Sequence, residues 1–226
     1  MNAKHLAPDE LRRRHLELLL STLYVRDPLT REHRADLHKS GLSDETIERQ
    51  CFRSIPPHMI DHLTGFPTPK VVSAYVLPFA NPWTGAWLDH VRMKIFPAIT
   101  SDDGTIKYLQ PRHSAVQLYF PLATLEAVRA GAEPLYVVEG EKKSARVAEL
   151  GRPAVGICGI EGWHAAGSRA LLPDFEALEL RGRRVELVPD GDVQTNPNVG
   201  RAAERLADAL EARGATVRVV LLPVAA

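Results

Sequence analysis

The chain has no net charge to offer: lysines plus arginines number 28, and aspartates plus glutamates 28. No global positive field therefore draws it to nucleic acid, and any such binding must come from a local patch. Cysteine is scarce. Cys51 and Cys158 lie far apart and form no Cys-x-x-Cys pair, which argues against a disulfide framework or a zinc ribbon and makes a reducing cytoplasm the default location. The amino terminus, Met-Asn-Ala-Lys-His, lacks the charged-then-apolar plan of a secretion signal. No apolar run approaches the ~20 residues that cross a bilayer, so a soluble protein with no membrane partner is expected. There is no internal repeat or low-complexity tract. What is present is a 45% hydrophobic share across 226 residues, enough for a real core in one large unit or two small ones.

Helical spacing opens the chain. Leu11, Leu18, Leu19 and Leu23 predict a helix from Pro8 to about Tyr24, with Asp9 and Glu10 near its start. A second is expected from Thr30 to Lys39, stopped by Gly41, and a third from Asp44 to Gln50 with Ser43 as its N-cap. The run Arg12-Arg13-Arg14 reads as a solvated face. Residues 1–54 thus form an N-terminal helical segment.

Prolines punctuate residues 55–130, which read as a mixed, mostly β basic subdomain. Val71–Leu77 and Trp87–Ile95 are expected strands joined by a turn around Asn81 to Gly85, with shorter strands at Lys107–Leu109 and Gln117–Phe120. Arg92 and Lys94, two apart, share a strand face. With Lys107, Arg112 and His113 they could make a basic surface interleaved with Tyr108 and Tyr119, the composition of a single-strand binding surface. Basic residues on a strand are also ordinary solvent-facing residues. Cys51, His58 and His62 offer only three candidate ligands at an unfamiliar spacing, so zinc is not expected.

Residues 131–226 alternate regularly. Strands at Leu135–Val138, Ala154–Cys158, Val185–Val188 and Thr216–Leu222 are separated by a helix at Glu141–Leu150, a glycine loop and irregular helical stretch to Leu178, and a helix from Pro197 to Arg213. Asn196 caps the last helix and Pro197 opens it. This pattern predicts an α/β fold with a doubly wound parallel sheet and right-handed crossovers. The first strand ends on Glu139-Gly140-Glu141 and the third runs into Asp190-Gly191-Asp192. Ligands bind at the carboxyl ends of such strands, so carboxylates from two strands could meet in one crevice. They suit a hard divalent cation and phosphate chemistry, although acidic residues after strands also simply cap turns.

Val-Val-Glu139-Gly140-Glu141 followed at this distance by Asp190-Gly191-Asp192 resembles the Toprim domain of bacterial-type primases, topoisomerases and some nucleases. Lys107-Tyr-Leu-Gln-Pro-Arg112 is similar to the basic segment that precedes Toprim in bacterial primases. Together with Gly159-Ile-Glu-Gly-Trp163 and Asn196-Pro-Asn-Val, these motifs look like a phage- and plasmid-associated Toprim family of unknown function found beside replication helicases. The resemblance implies Glu139 as general base or acid and possible further ligand, with Asp190 and Asp192 as metal-binding carboxylates for Mg²⁺ or Mn²⁺. It implies that Lys107 and Arg112, with Arg92 and Lys94, hold template or nucleotide phosphates, beside Tyr108 of the surface read above; Lys142 and Lys143 match a recurrent lysine pair after the glutamate that, near a helix start, could reach a triphosphate or stay solvated. A primase-like nucleotidyltransferase making primers on single-stranded DNA from nucleoside triphosphates, for a phage or plasmid, is the leading expectation. A Toprim nuclease and a non-catalytic DNA-binding module of a helicase or polymerase partner are the alternatives.

Overall fold

The computed structural model describes residues 29–102 and 104–222; the expected helix at Pro8 to Tyr24 and the Arg12 to Arg14 run lie outside them. The chain divides into two compact units. Among the described residues, the first comprises 29–36, 51–79 and 87–114, and the second 37–50, 80–86 and 115–222. Among those residues no helix is long and apolar enough to cross a membrane.

The helices α1 (Arg31–Lys39) and α2 (Asp44–Arg49) fall where the spacing places them, and the Ser43 side chain accepts a hydrogen bond from Thr46 N–H to cap α2. In the first unit, β1 (Arg53–Ile55), β2 (Ser73–Ala80), β3 (Trp87–Ser101) and β4 (Gly104–Leu109) form one four-stranded sheet in chain order. Between β1 and β2 a short helix, α3 (Pro57–Thr64), begins on a proline suited to a first helical turn and stops at Gly65 in the left-handed conformation. Ile60 and Leu63 of α3 join Ile55, Val76, Met93 and Ile95 in the core of this unit. His58 and His62 of the same helix are exposed.

His33 fastens the start of α1 to this sheet. Its ring nitrogens lie 2.7 Å from Ser54 Oγ and 3.2 Å from Ser73 Oγ, and its ring stacks on Phe96 at 5.1 Å. His90 has no such partners. It is 2% exposed, meets the Phe79 ring edge-on at 4.5 Å, and neither ring nitrogen is hydrogen-bonded. Burial, and secondarily the Arg92 charge, lowers its pKa to about 4. The folded state therefore rejects a proton that the unfolded chain accepts below about 6.5. Stability from this group is complete above that value and is lost as pH falls towards 4, by about 3 kcal/mol in all. Urea midpoints measured from pH 7 to pH 4 are expected to fall more steeply for wild type than for His90→Leu, which lacks the titrating ring.

The second unit holds β5 (Leu135–Glu139), β6 (Ala154–Ile157), β7 (Arg184–Val188) and β8 (Thr216–Val219) in the order β6-β5-β7-β8, every neighbouring pair parallel. Helix α4 (Leu125–Arg129) precedes β5, α5 (Glu141–Glu149) connects β5 to β6, and α6 (Pro197–Glu211) connects β7 to β8. This is the expected doubly wound α/β sheet. Leu135, Val137, Val155, Ile157, Val185 and Leu187 bury their side chains against Leu206 and Leu210 of α6 and against Phe175 and Leu178. Each such side chain contributes roughly 1.5–3 kcal/mol on leaving water.

Four expectations change. Gln117–Phe120 is not a strand but makes one antiparallel bridge, Tyr119 to Gly156. The stretch from His164 to Leu178 is irregular up to Leu172, with one isolated bridge from His164 to Leu171, and helical only as a 3₁₀ segment at Pro173–Leu178. The last strand ends at Val219, and Leu222 instead offers its carbonyl to Gln194 Nε2 at 2.7 Å. Strand β3 runs on past Ile95 to Ser101, because its pairing with β4 shifts register between Lys94 and Ile99. Pro97, which cannot donate to a ladder, sits inside that irregularity.

Candidate active site and basic surface

Strand β5 lies between β6 and β7, so the chain passes from β5 to one side and then returns to the other. The crevice at the carboxyl ends of β5 and β7 is thus the topological switch point of the sheet. Glu139 is the last residue of β5, and Asp190 follows two residues after the end of β7. Glu139 fastens two chain ends together. Its Oε2 accepts the N–H of Asp190 at 2.9 Å, and its Oε1 accepts the N–H of Ile160, in the glycine loop after β6, at 3.1 Å. Burial pushes the Glu139 carboxyl above its ordinary pKa; Lys143 opposes that shift, and the nearby charge of Asp192 adds to it.

Beyond Asp190 the chain turns through a 3₁₀ segment, Gly191–Gln194, in which Asp192 is exposed. Asn196 N–H closes the turn on the Asp192 carbonyl at 2.7 Å, and the Asn196 side chain then caps α6 by accepting Asn198 N–H at 3.0 Å. The long loop after the aspartates is therefore ordered by its own hydrogen bonds.

On the other side of Glu139, Gly140 turns from strand to helix at φ 98°, a left-handed value that favours glycine. Lys142 and Lys143 occupy the first turn of α5. Lys143 does not stand free for a triphosphate: its Nζ is hydrogen-bonded to Asp190 Oδ1. Desolvation draws its pKa down while Glu139, Asp192 and Glu141 draw it up. Lys142 is half-buried and lies close enough to repel it.

Spacing did not single out Glu141 or Cys158. Glu141 is 2% exposed, and its Oε1 accepts the Cys158 thiol at 3.2 Å. Its carboxylate follows Glu139 by two residues, but only the placement of β6 beside β5 brings Cys158 to it. The loop from Gly159 to Gly162 folds tightly back on the end of β6. A Cβ at Gly162 would sit 2.6 Å from the Cys158 carbonyl oxygen. Gly162→Ala is expected to cost about 1–3 kcal/mol, read as a lowered melting temperature, because backbone must move to admit the methyl group.

Among the described residues, no group of three or more His, Cys, Asp or Glu side chains is placed to hold a metal ion. Both Glu139 oxygens accept backbone N–H groups, and Asp190 binds Lys143. Asp190 and Asp192 remain hard oxygen donors on accessible side chains. That donor set fits Mg²⁺, which takes one or two protein carboxylates and fills its remaining positions with water and phosphate oxygen.

The first unit carries the basic residues, in two groups. Lys94 pairs with Tyr108 across β3 and β4. The Lys94 ammonium lies 5.0 Å and the Arg92 guanidinium 4.9 Å from the Tyr108 ring centre, and Lys94 is also 5.7 Å from Phe96. One aromatic ring thus gathers two cations, each contact contributing about 0.5–1 kcal/mol. Lys107 is adjacent to Tyr108 on β4, so strand alternation turns it to the opposite face. Arg112 lies beyond the strand, its N–H donating to Thr64 O at 2.7 Å and its side chain exposed. Arg92, Lys94 and Tyr108 are brought together.

A family model described as "Domain of unknown function (DUF3854)" matches residues 126–226. No curated protein matches the chain. Among solved structures, the Aquifex aeolicus primase, described as its zinc binding and RNA polymerase domains, is similar with a TM-score of 0.66 at 16% identity. That likeness covers 99% of this chain, which spans 57% of the primase structure. A DnaG catalytic core is similar with a TM-score of 0.60 at 22% identity, covering 94% of this chain and 72% of that one. What these relatives share with the chain is the fold of bacterial primase cores, a Toprim-like α/β architecture.

Proposed function

We propose that the chain is a primase-like Toprim nucleotidyltransferase that joins ribonucleotides on a single-stranded DNA template. The carrying observation is the meeting of Glu139 and Asp190 at the switch point of the parallel sheet, joined by a direct hydrogen bond. The likeness to primase cores supports the same reading.

In this mechanism Asp190 and Asp192 hold a divalent cation, Mg²⁺ or Mn²⁺. When bound, the ion supplies charge neutralisation at the phosphate and orients its oxygens. Glu139 takes the proton of the primer hydroxyl as its oxygen bonds to the α-phosphorus of the incoming triphosphate and the α–β phosphoanhydride bond breaks to release pyrophosphate, a role suited to a carboxyl whose burial raises its basicity. The backbone N–H groups of Ile160 and Asp190 hold that carboxylate in place. Arg92 and Lys94, gathered on Tyr108, present cations for the template phosphates, and the ring offers a face for a base. Lys107 and Arg112 contribute phosphate contacts from outside that group. Action beside a replicative helicase or polymerase of a phage or plasmid completes the reading.

The test uses labelled ribonucleotides, single-stranded DNA and Mg²⁺ or Mn²⁺ with wild type, Glu139→Gln and Asp190→Asn. Primer synthesis by wild type that is lost in both variants supports the proposal. Template degradation without synthesis would replace it with a nuclease using water as the nucleophile. DNA binding unchanged across all three proteins, with neither activity, would leave a non-catalytic module.

A further inference from the structure

We infer that Lys143 is an internal counter-ion: it neutralises Asp190 until a divalent cation arrives, and is then released to the phosphates that accompany that cation. The inference rests on the metal-dependent reading above and concerns the regulation of that same site.

Lys143 Nζ is bound to Asp190 Oδ1, so the ammonium sits on one of the two carboxylates assigned to the metal. It is not an isolated surface pair. Glu139, Asp192 and Glu141 all act on Lys143 electrostatically, so one ammonium serves four carboxylates drawn from β5, α5 and the turn after β7. A lysine in that position lowers the repulsion that these acids would otherwise exert on one another. It also opposes a second cation at Asp190, because two like charges a few ångströms apart repel strongly.

The Lys143 side chain is 49% exposed and that of Asp190 41% exposed. Breaking their contact is therefore inexpensive, since half-exposed ion pairs contribute little to stability. The flexible four-carbon stem lets the ammonium swing away without moving the helix. Lys142, the adjacent cation, already repels it from its present position. Lys143 stands on the first turn of α5, at the positive end of the helix dipole. With a divalent ion bearing a triphosphate, Asp190 would hold the ion and the displaced Lys143 ammonium would pair with the phosphate oxygens. No covalent step is involved.

Two affinities test this on the full chain: free Mn²⁺, followed by its electron paramagnetic resonance signal, and Mn²⁺-loaded ribonucleoside triphosphate, followed by calorimetry. Lys143→Met is expected to bind free Mn²⁺ about tenfold more tightly than wild type. It is expected to bind the metal-loaded triphosphate several-fold more weakly, for want of the ammonium. Lys143→Arg, which keeps the charge, should stay near wild type in the first measurement. A lysine with a merely structural role would move both affinities in the same direction, and that result overturns the inference. So does unchanged Mn²⁺ affinity in Lys143→Met; if Asp190→Asn still abolishes Mn²⁺ binding, the metal-dependent reading survives that failure. If neither wild type nor Lys143→Met binds Mn²⁺, both the inference and the metal-dependent reading fall.

Discussion

Glu139→Gln is expected to lower primer synthesis by about 10²–10⁴-fold, the usual worth of a positioned general base. It is also expected to destabilise the second unit. Both oxygens of Glu139 accept backbone N–H groups, from Ile160 and from Asp190. Glutamine keeps only one oxygen, so one of those N–H groups would face an amide NH₂, donor against donor. Leaving a partly buried donor without an acceptor costs about 1–3 kcal/mol. A melting curve recorded beside the rate assay checks this: a lowered midpoint in Glu139→Gln, with little change in Asp190→Asn. If Glu139→Gln melts as wild type, the carboxylate is not the fastening that joins the glycine loop to the end of β7.

Arg183→Met is expected to destabilise the protein by about 2–5 kcal/mol, a drop of ~10 °C in melting temperature. Arg183 is 2% exposed, and its guanidinium donates to three backbone carbonyls: Leu178, Val128 at 3.1 Å and Ala132 at 2.7 Å. These belong to the 3₁₀ segment before β7, to α4, and to the turn leading into β5, so a single side chain closes three chain segments at the amino ends of the strands. Burial lowers its pKa; Glu133 and Glu179 oppose the shift from a distance. Methionine would fill much of the volume and leave the Leu178 and Ala132 carbonyls without this donor, while that of Val128 keeps the N–H of Gly131 at 3.2 Å. Thermal unfolding is the measurement. Because the residue lies at the end of the sheet remote from Glu139 and Asp190, the rate per folded molecule should change little at a temperature where the variant remains folded.

The sheet of the second unit was legible in advance because its strands are short apolar runs closed by glycine, and because Asn196 and Pro197 mark a helix start unambiguously. The strand order was not. The contact of Glu139 with Asp190 depends on β5 pairing with β7, and that with Ile160 on β5 pairing with β6; nothing in the periodicity of any strand selects its neighbours. The contact of Lys143 with Asp190 was hidden for the same reason: it joins residues 47 apart through that order. In the first unit the prolines misled. Pro97 looked like a strand end, yet β3 accommodates it at a register shift, and Pro57 opens a helix that was not expected. Strand alternation alone would have separated Lys107 from Tyr108. The grouping of Arg92 and Lys94 on that ring needed the pairing of β3 with β4.

The bridge between Tyr119 and Gly156 has a bearing on how the molecule resists self-association. Each residue donates its N–H to the other's carbonyl, at 2.8 and 2.7 Å. Their approach is so close that a Cβ at Gly156 would lie 3.1 Å from Tyr119 Cβ and 2.6 Å from Ser144 Oγ. The outer rim of β6 is thereby capped by a piece of the same chain, running against the direction of the sheet. At the opposite rim β8 is only four residues long and carries Arg218, paired with Glu186 at 2.7 Å. One rim is plugged and the other is short and charged, two devices that deny an incoming strand a template for edge-to-edge aggregation.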